Sequence, residues 1–418
     1  MNLYLDSFDE EVKSWDVRLI RYADDFIIMT RSQEKAENVL SKTDAVLSGL
    51  KLQIKKEKTA ITSLKEGFSF LGIWFDRTEA QVEPVEKIKR SKKPLYITES
   101  FVFLSLNGGA VEVNKNRKVI NTIPLRRISE IMVMQKASFS TALLKACTEN
   151  EIPISITLNT GYHVTTIKPD QKSYYDLSYQ QARRYGNLSE GERLSIGREF
   201  AAGKLRNYKG MFEQKYVKGM HTFLKDLDKA VERMYKAGSL NEIRGLEGAA
   251  TRKIYKNLNE LINHDAFHIR KRKRRPSDRI NSLLNFGYYL LFSRINATLR
   301  SVGLNPYLGF LHSPENRYES LATDIQELFR CHIDRFITKI INLKIIQEDD
   351  FRPTDRGMYL KNEKAKVFLN RFEEEMARKP RKKEAPVYSL TEHLYAQVYV
   401  CKEWALNNDS FTFYHWKK

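Results

Sequence analysis

Three regions of the chain differ in how hydrophobic and polar residues alternate. Within residues 1–88, Val17–Tyr22 alternates loosely, Phe26–Met29 is apolar, and the apolar residues of 39–50 fall on one helical face. This region predicts a hairpin followed by an amphipathic helix. Residues 89–94 are polar and basic and end in proline, so we predict a linker there.

Short apolar runs and turn signals fill residues 95–170. Phe101–Leu106 and Ala110–Val113 flank an Asn-Gly-Gly sequence that is typical of hairpin turns, and Ile128–Met134 is a further strand-like run. Between the strand-like runs, Ser138–Thr148 has the pattern of a helix. The region predicts a small β-rich domain in which one helix packs on a sheet.

Helical periodicity dominates residues 171–418, where Gly and Pro become rarer. The helix-like segments are Glu190–Lys218, Leu240–Ile262, Asp278–Leu299, Leu321–Leu343 and Thr391–Ala405. The whole pattern predicts a multi-domain α+β protein whose last part is mainly α-helical. Beyond about residue 345 we find no motif that points to chemistry.

Composition adds a strong positive charge to this picture. The 418 residues include 71 Lys plus Arg against 52 Asp plus Glu, a formal net charge of +19. Such a surface favours a polyanionic partner, of which nucleic acid is the obvious one, over the alternative of a generally basic soluble protein. The length is typical of two or three domains, and 42% hydrophobic residues exclude a disordered acidic chain.

The sequence carries no sign of secretion or of a membrane span. Met1–Glu11 contains four acids, unlike a signal peptide, and no apolar run approaches the roughly 20 residues that span a bilayer. Cys147, Cys331 and Cys401 have neither disulfide nor metal-site spacing. We therefore expect a soluble protein of a reducing compartment such as the cytoplasm, with no membrane partner.

A run of six basic residues lies between two predicted helices. Adjacent cations repel one another unless an anion lies near, so our interpretation is phosphate contact, and a solvated loop is the alternative. The residues of this basic cluster are Arg270, Lys271, Arg272, Lys273, Arg274 and Arg275.

Two adjacent carboxylates, Asp24 and Asp25, stand at the tip of the predicted N-terminal hairpin. Such a pair is costly unless a cation neutralises it, and a divalent metal there can position a triphosphate for nucleotidyl transfer. The alternative is a solvated Asp-Asp turn. Without the surrounding sequence, the two aspartates would favour this alternative.

The segments around this pair resemble the last third of a reverse-transcriptase palm, of the kind related to group II intron enzymes. The matching pieces are Arg21–Phe26, the helix after it, Leu52–Thr59 and Phe70–Gly72. The resemblance implies a partial palm in residues 1–88. Because such palms need a further metal-binding aspartate on an earlier strand and fingers that hold the template, we expect no polymerase activity. A remnant, a truncated form and the start of a gene fragment are the interpretations of this segment.

One acidic residue in the helical region has unusually small neighbours. Glu247 lies between Gly245 and Ala249, with Gly248 beside it. Glycine lowers helix stability by up to about 1 kcal/mol per site. Close approach of a substrate or of another helix to the backbone would compensate for this loss of stability. The alternative is a tightly packed helix with a surface glutamate.

Two further segments carry groups that can bind a cation. His312 follows a loop and precedes a helix, and Asp324 and Glu327 are three residues apart, so they share one helix face. Together with Glu247 they form a mixed nitrogen and oxygen set suited to Mn²⁺ or Mg²⁺. The alternatives are a hydrogen-bonded structural histidine and a solvated acidic face.

The ordered set of segments between about 95 and 345 resembles the CRISPR-associated integrases of the Cas1 family. The pieces that match are Leu246–Gly248, Pro276–Tyr288, Gly309–His312 and Leu321–Glu327. The resemblance implies a catalytic metal site at Glu247, His312 and Glu327, where many members have Asp in place of this last residue. It also implies that Asp324 is either a second ligand or a group that orients one.

A metal-dependent DNA endonuclease and integrase is the activity that the resemblance implies. Such proteins insert short DNA fragments into a repeat array by attack of a 3′-hydroxyl on a phosphodiester. They act as homodimers that clasp a dimer of the small protein Cas2, and fusion to a reverse transcriptase suggests RNA-derived fragments. Arg330 is a candidate phosphate contact. A branched-DNA repair nuclease and a non-catalytic nucleic-acid scaffold are the alternatives.

Overall fold

The protein is described by a computed structural model. It covers residues 5–22, 25–50, 52–55, 59–63, 68–70, 73–75, 92–158, 160–167, 172–214, 220–273, 275–312, 318–355, 357–379, 388–407 and 411–416. The chain forms two compact units, Met1–Ser91 and Lys92–Lys418. In the described residues, no helix combines the length and the hydrophobicity needed to cross a membrane.

The N-terminal unit contains the predicted hairpin and helix. Its elements are α1 (Asp6–Lys13), β1 (Arg18–Tyr22), β2 (Asp25–Met29), α2 (Gln33–Gly49), β3 (Phe68–Phe70) and β4 (Ile73–Phe75). β1 pairs antiparallel with β2, and the Ser32 side chain accepts a hydrogen bond from the Lys35 amide to cap α2. Of the two predicted cation-binding acids, Asp24 lies outside the described residues, and Asp25 is described only as the first residue of β2.

The β-rich part of the larger unit contains two sheets where the sequence predicted one. Its elements are β5 (Lys93–Ile97), β6 (Val102–Asn107), β7 (Ala110–Lys115), β8 (Lys118–Pro124), β9 (Ile128–Val133), β10 (Ala137–Phe139), α3 (Thr141–Glu149), β11 (Ile154–Thr157) and β12 (His163–Ile167). In the described residues the strand orders are β10-β6-β7-β8 and β12-β11-β9-β5. The meander β6-β7-β8 follows from local turns, whereas β9 pairs in parallel with β5 and β11, which are distant in sequence.

The rest of the larger unit is mainly helical. Its elements are α4 (Lys172–Gly186), α5 (Glu190–Gln214), α6 (His221–Lys236), α7 (Leu240–Asn259), α8 (Arg279–Ser301), α9 (Ser320–Asn342), β13 (Phe351–Thr354), β14 (Gly357–Leu360), α10 (Asn362–Ala377) and α11 (Leu390–Asn407). α8 and α9 are buried on most of their faces, as expected for helices at the centre of a core. The hairpin β13-β14 was not predicted, because it is only four residues a side and carries a proline.

Close packing of α5 between α7 and α9 brings these three helices together. A Cβ added at Gly197 would lie 2.6 Å from Leu240, the first residue of α7, and one at Gly203 would lie 2.7 Å from Leu328 on α9. The absence of a side chain at these two positions therefore lets the helix axes approach. Functional groups on all three helices become neighbours as a result.

A C-terminal segment, residues 411–416, ties α5 to α9. The buried Asn207 of α5 donates hydrogen bonds to the Leu328 carbonyl at 2.9 Å and to the Tyr414 carbonyl at 3.1 Å. The side-chain oxygen Oδ1 of Asn207 accepts a hydrogen bond from the Trp416 amide at 2.7 Å. Part of the chain beyond residue 345, where the sequence showed no motif, thus holds the central helices in register.

Candidate functional site

Two glutamates from different helices contact one buried ammonium group. Lys204 of α5 donates a hydrogen bond to Glu247 Oε1 on α7, and its Nζ lies 2.7 Å from Glu327 Oε2 on α9. Lys204 is 2% exposed and Glu327 is 5% exposed. Charges buried this deeply require opposite charges beside them, so the three side chains form one electrostatic unit. The sequence predicted both glutamates and missed the lysine.

Glu327 is held by two cations. Arg330, one helical turn further along α9, donates to Glu327 Oε1 at 2.7 Å. Oε2 is buried and lies against the Lys204 ammonium without a hydrogen bond of good geometry. Burial raises the pKa of Glu327, but the charges of Arg330 and Lys204 outweigh it and hold the pKa below its usual range. The carboxylate is therefore ionised.

His312 is fixed in orientation by Asp324. The imidazole Nδ1 donates to Asp324 Oδ1 at 2.6 Å, which leaves the Nε2 lone pair of the neutral ring for another partner. Burial lowers the pKa of His312, but the hydrogen bond and charge of Asp324 raise it above its usual value, and so do the charges of Glu327 and Glu247. These charges act on the ring because both glutamates lie near it.

Asp324 also organises the loop that carries the histidine. It is fully buried, and its oxygens accept from the amides of Phe310, Leu311 and His312 at 2.6, 2.9 and 3.0 Å. The loop can sit on the start of α9 because Gly309 has no Cβ; one added there would lie 2.5 Å from the backbone of Ser320. Of the two roles left open for Asp324, these bonds favour orienting His312 over binding a cation directly.

The donor chemistry at this site fits a divalent ion. Two carboxylates and an imidazole nitrogen are available from Glu247, Glu327 and His312, and the buried Glu327 Oε2 lacks a hydrogen bond. In the described part of the chain, however, no three His, Cys, Asp or Glu side chains form a ready set of ligands. At this site the Lys204 ammonium contacts both carboxylates.

Arg330 does not face outward as a phosphate contact would. Its guanidinium lies 4.2 Å from the centre of the Tyr288 ring and is paired with Glu327. Tyr288 in turn donates to the buried Asp334, which also accepts from Tyr208 at 2.5 Å. Arg330 therefore belongs to a buried network behind the glutamates.

The basic cluster divides into inward and outward residues. Arg272 is partly buried, donates to Asn281 and, at 2.9 Å, to Asn285, and lies over the rings of Tyr255 and Tyr288. Its role in the structure is to join helices, which corrects the expectation of a surface phosphate contact. The outward residues of the cluster are Arg270, Lys271, Lys273 and Arg275, while Arg274 lies outside the described residues.

Open space borders the turn of α7 that carries Glu247. A Cβ added at Gly245 or Gly248 would meet nothing within 4 Å among the described residues. No other helix of the described chain therefore explains these glycines by close approach. They leave a smooth backbone surface next to the carboxylate.

Comparison with protein families gives matches to both parts of the chain. The family of the CRISPR-associated protein Cas1 matches residues 95–374, and the reverse transcriptase (RNA-dependent DNA polymerase) family matches residues 1–75. A CRISPR-associated endonuclease Cas1 of Methanospirillum hungatei is 28% identical over 314 residues, covering 72% of this chain and 88% of that protein. The corresponding protein of Thermotoga maritima is 27% identical over 269 residues, covering 63% and 81%.

Several solved structures have the same fold as this chain. The Thermotoga maritima Cas1 structure has a TM-score of 0.65 at 23% identity and covers 77% of this chain and 100% of that chain. A casposase bound to its integration product has a TM-score of 0.67 at 21% identity, covering 77% and 92%. A Cas6-RT-Cas1–Cas2 complex has a TM-score of 0.68 at 23% identity and covers 100% of this chain and 48% of that one. At these identities the likeness establishes the fold.

Proposed function

The chain belongs to the Cas1 family of CRISPR-associated proteins, and from this premise we propose that it is a metal-dependent DNA endonuclease and integrase of CRISPR adaptation. The observation that carries the proposal is the meeting of Glu247, from α7, and Glu327, from α9, at a single cation. A nuclease site needs two acids of this kind, which are held close together although their negative charges repel each other.

We assign the metal ligands to Glu247, Glu327 and the Nε2 atom of His312. Hard oxygen donors and one imidazole favour Mn²⁺ or Mg²⁺. When bound, such an ion supplies Lewis-acid polarisation of a phosphoryl oxygen and offsets the charge of the transition state. Asp324 holds the imidazole in the tautomer that leaves Nε2 free, and Arg330 fixes Glu327 through its other oxygen.

The reaction exchanges one phosphodiester bond for another. The 3′-hydroxyl of an incoming fragment loses its proton as its oxygen forms a bond to phosphorus at the edge of a repeat. The existing P–O bond of that strand breaks, and the released 3′-oxygen takes up a proton, so that no net proton is consumed. With water as the nucleophile the same chemistry is hydrolysis. The smooth surface at Gly245 and Gly248 gives the DNA backbone room beside Glu247.

The proposed partners are double-stranded DNA, both the spacer precursor and the repeat array, a second copy of the chain, and a Cas2 protein. Related structures support these assignments, since one holds an integration product and another joins Cas1 to reverse transcriptase and Cas2. The outward cations Arg270, Lys271, Lys273 and Arg275 would contact phosphates, together with the undescribed Arg274. A reverse transcriptase segment in the same chain favours fragments derived from RNA.

Half-site integration by the full chain tests this function. The assay combines a labelled spacer duplex, a leader–repeat duplex, Cas2 and Mn²⁺, and it compares wild type with Glu247→Gln, His312→Ala and Glu327→Gln. We expect all three variants to lose strand transfer while keeping the wild-type circular dichroism spectrum. Glu260→Gln, an exposed change at the end of α7, is the matched control and should retain activity.

Two other results would point away from an integrase. Metal-dependent cleavage of branched DNA without any joining to the repeat would indicate a repair nuclease. DNA binding without either reaction, unaffected by chelation of metal, would indicate a scaffold. Undiminished strand transfer by Glu247→Gln or His312→Ala would refute the site.

A further inference from the structure

Lys204 is a buried cation for which neither the sequence motifs nor the proposed reaction provides a role. It lies in the middle of α5 on the buried face of that helix, between Phe200 and Tyr208, each one helical turn away. Its stem is surrounded by the core, and its ammonium emerges between Glu247 and Glu327. A lysine is buried to this extent only where its charge is needed.

Lys204 and Arg330 together match the charges of the two glutamates. The Glu247 and Glu327 carboxylates contribute two negative charges, and Lys204 and Arg330 contribute two positive charges. Contact with both carboxylates keeps the buried ammonium charged. Without the ammonium, two carboxylates from different helices would repel each other in a poorly solvated place.

The two cations on Glu327 differ in how firmly they are held. Arg330 donates to Oε1 and is clamped against the Tyr288 ring at 4.2 Å, and the planar group cannot leave without losing both contacts. Lys204 carries a compact ammonium on a flexible four-carbon stem, and its contact with Oε2 lacks hydrogen-bond geometry. Arg330 is therefore the fixed partner and Lys204 the exchangeable one.

A polar group able to receive the ammonium lies nearby. Tyr255 contacts Arg330, the partner of Glu327, and its hydroxyl is held loosely, 3.3 Å from the Tyr288 hydroxyl and 3.4 Å from Arg330. Glu247 keeps a hydrogen bond when the ammonium moves, since its Oε1 also accepts from the Thr251 hydroxyl at 2.7 Å. A lysine that leaves the space between the carboxylates would thus have a hydroxyl oxygen as an acceptor in their place.

We propose that Lys204 is a built-in counter-cation, which holds Glu247 and Glu327 together in the metal-free protein and yields the space between them when a divalent ion binds. This inference rests on the proposed metal site and adds a property of it: the lysine sets the metal affinity. The protein folds with its acids already assembled, and part of the binding energy of the ion is spent in displacing the ammonium.

Mn²⁺ titration of the full chain tests this. Lys204→Met keeps the length and apolar stem of the side chain and removes the charge. We expect its dissociation constant for Mn²⁺, measured by calorimetry, to fall by about tenfold or more, since one competing charge is gone. The metal-free variant should unfold at a lower temperature than wild type, and Mn²⁺ should raise that temperature by more than it does in wild type.

A lysine on the same helix provides the matched control. Lys209 pairs with Asp228 at 2.7 Å at the protein surface, away from the glutamates, so Lys209→Met should leave the Mn²⁺ affinity unchanged. If Lys204→Met does not fold, as judged by circular dichroism, Lys204→Gln takes its place, because the amide can still donate to a carboxylate. It carries the same expectation.

Three outcomes would overturn the inference. One is a folded neutral variant that binds Mn²⁺ no more tightly than wild type. Another is a structure of the Mn²⁺-loaded wild type in which Nζ still contacts both Glu247 and Glu327. The third is a wild type that binds no Mn²⁺ at all, which would also remove the proposed metal site. The first two leave metal-dependent strand transfer intact, so the failure of this inference is distinguishable from the failure of the proposed function.

Discussion

Replacing Asp324 by asparagine should both destabilise the protein and weaken its metal site. The carboxylate accepts four hydrogen bonds, two at each oxygen, from the amides of residues 310–312 and from Nδ1 of His312. Asparagine keeps one oxygen and turns the other into an NH₂ group, which cannot accept. In either orientation of the amide, two N–H groups then face a donor.

The size of the effect follows from this loss. Hydrogen bonds to charged groups contribute roughly 1.5–3 kcal/mol each, so two of them amount to roughly 3–6 kcal/mol. A neutral amide costs less to bury than a carboxylate, which offsets part of this. We expect the free energy of unfolding of the larger unit to fall by about 2–4 kcal/mol. Because the imidazole loses the negative charge of its orienting partner, the Mn²⁺ affinity should fall by about 10- to 100-fold.

Urea unfolding followed by circular dichroism and Mn²⁺ calorimetry measure the two quantities on the same preparation. Asp349→Asn, on an exposed turn outside the site, should change neither and serves as the control. A variant at position 324 that stays within about 0.5 kcal/mol of wild type and binds Mn²⁺ equally well would refute the reasoning, since that is the range of ordinary surface changes.

Three further changes test other parts of the molecule. Burial raises the pKa of Glu130 to about 7, so its contribution to stability is present at acid pH and is lost as the pH rises to that value; urea unfolding should therefore show wild type losing stability between about pH 4.5 and 7 relative to Glu130→Gln, with no further loss at higher pH, and parallel curves would contradict this. Asn207→Ala removes three buried hydrogen bonds and should cost about 2–4 kcal/mol in the same assay, where a loss below about 1 kcal/mol would argue against the C-terminal tie. Gly248→Ala should stabilise α7 by up to about 1 kcal/mol. Gly248→Gln should fold normally but bind DNA at least about tenfold more weakly in a fluorescence anisotropy titration, because its side chain would project into the surface that we assign to the DNA backbone. Unaltered DNA binding by Gly248→Gln would locate the DNA elsewhere.

Local patterns predicted those parts of the fold that local residues determine. The β1-β2 hairpin, the Ser32-capped helix α2 and the meander β6-β7-β8 all follow from turn residues and periodicity within one segment. The second sheet could not be read in this way. Its strands β5, β9 and β11 pair in parallel, and the residues between them contain other strands and a helix, so no single window of sequence holds the information.

The three assigned ligands were identified from ordered motifs, and their surroundings were not. Six cations in a row are equivalent in sequence, yet Arg272 turns inward to Asn285 and lies over Tyr255 and Tyr288, since its position in the run faces those helices. The run therefore indicated total charge correctly and could not assign roles to its members.

Lys204 left a signal that periodicity alone could have detected. It occupies a position on the buried face of α5 where the residues one turn before and after are Phe200 and Tyr208, and a charge on a buried face must find a partner. The sequence could not say which acid that partner is, because Glu247 is 43 residues away and Glu327 is on another helix again. A basic residue at a buried position of a helix thus predicts that a buried acidic partner exists. The tertiary fold determines which acidic residue that partner is. In this protein the two acids that it meets are the ones that the family motifs independently single out, which makes the lysine part of the site.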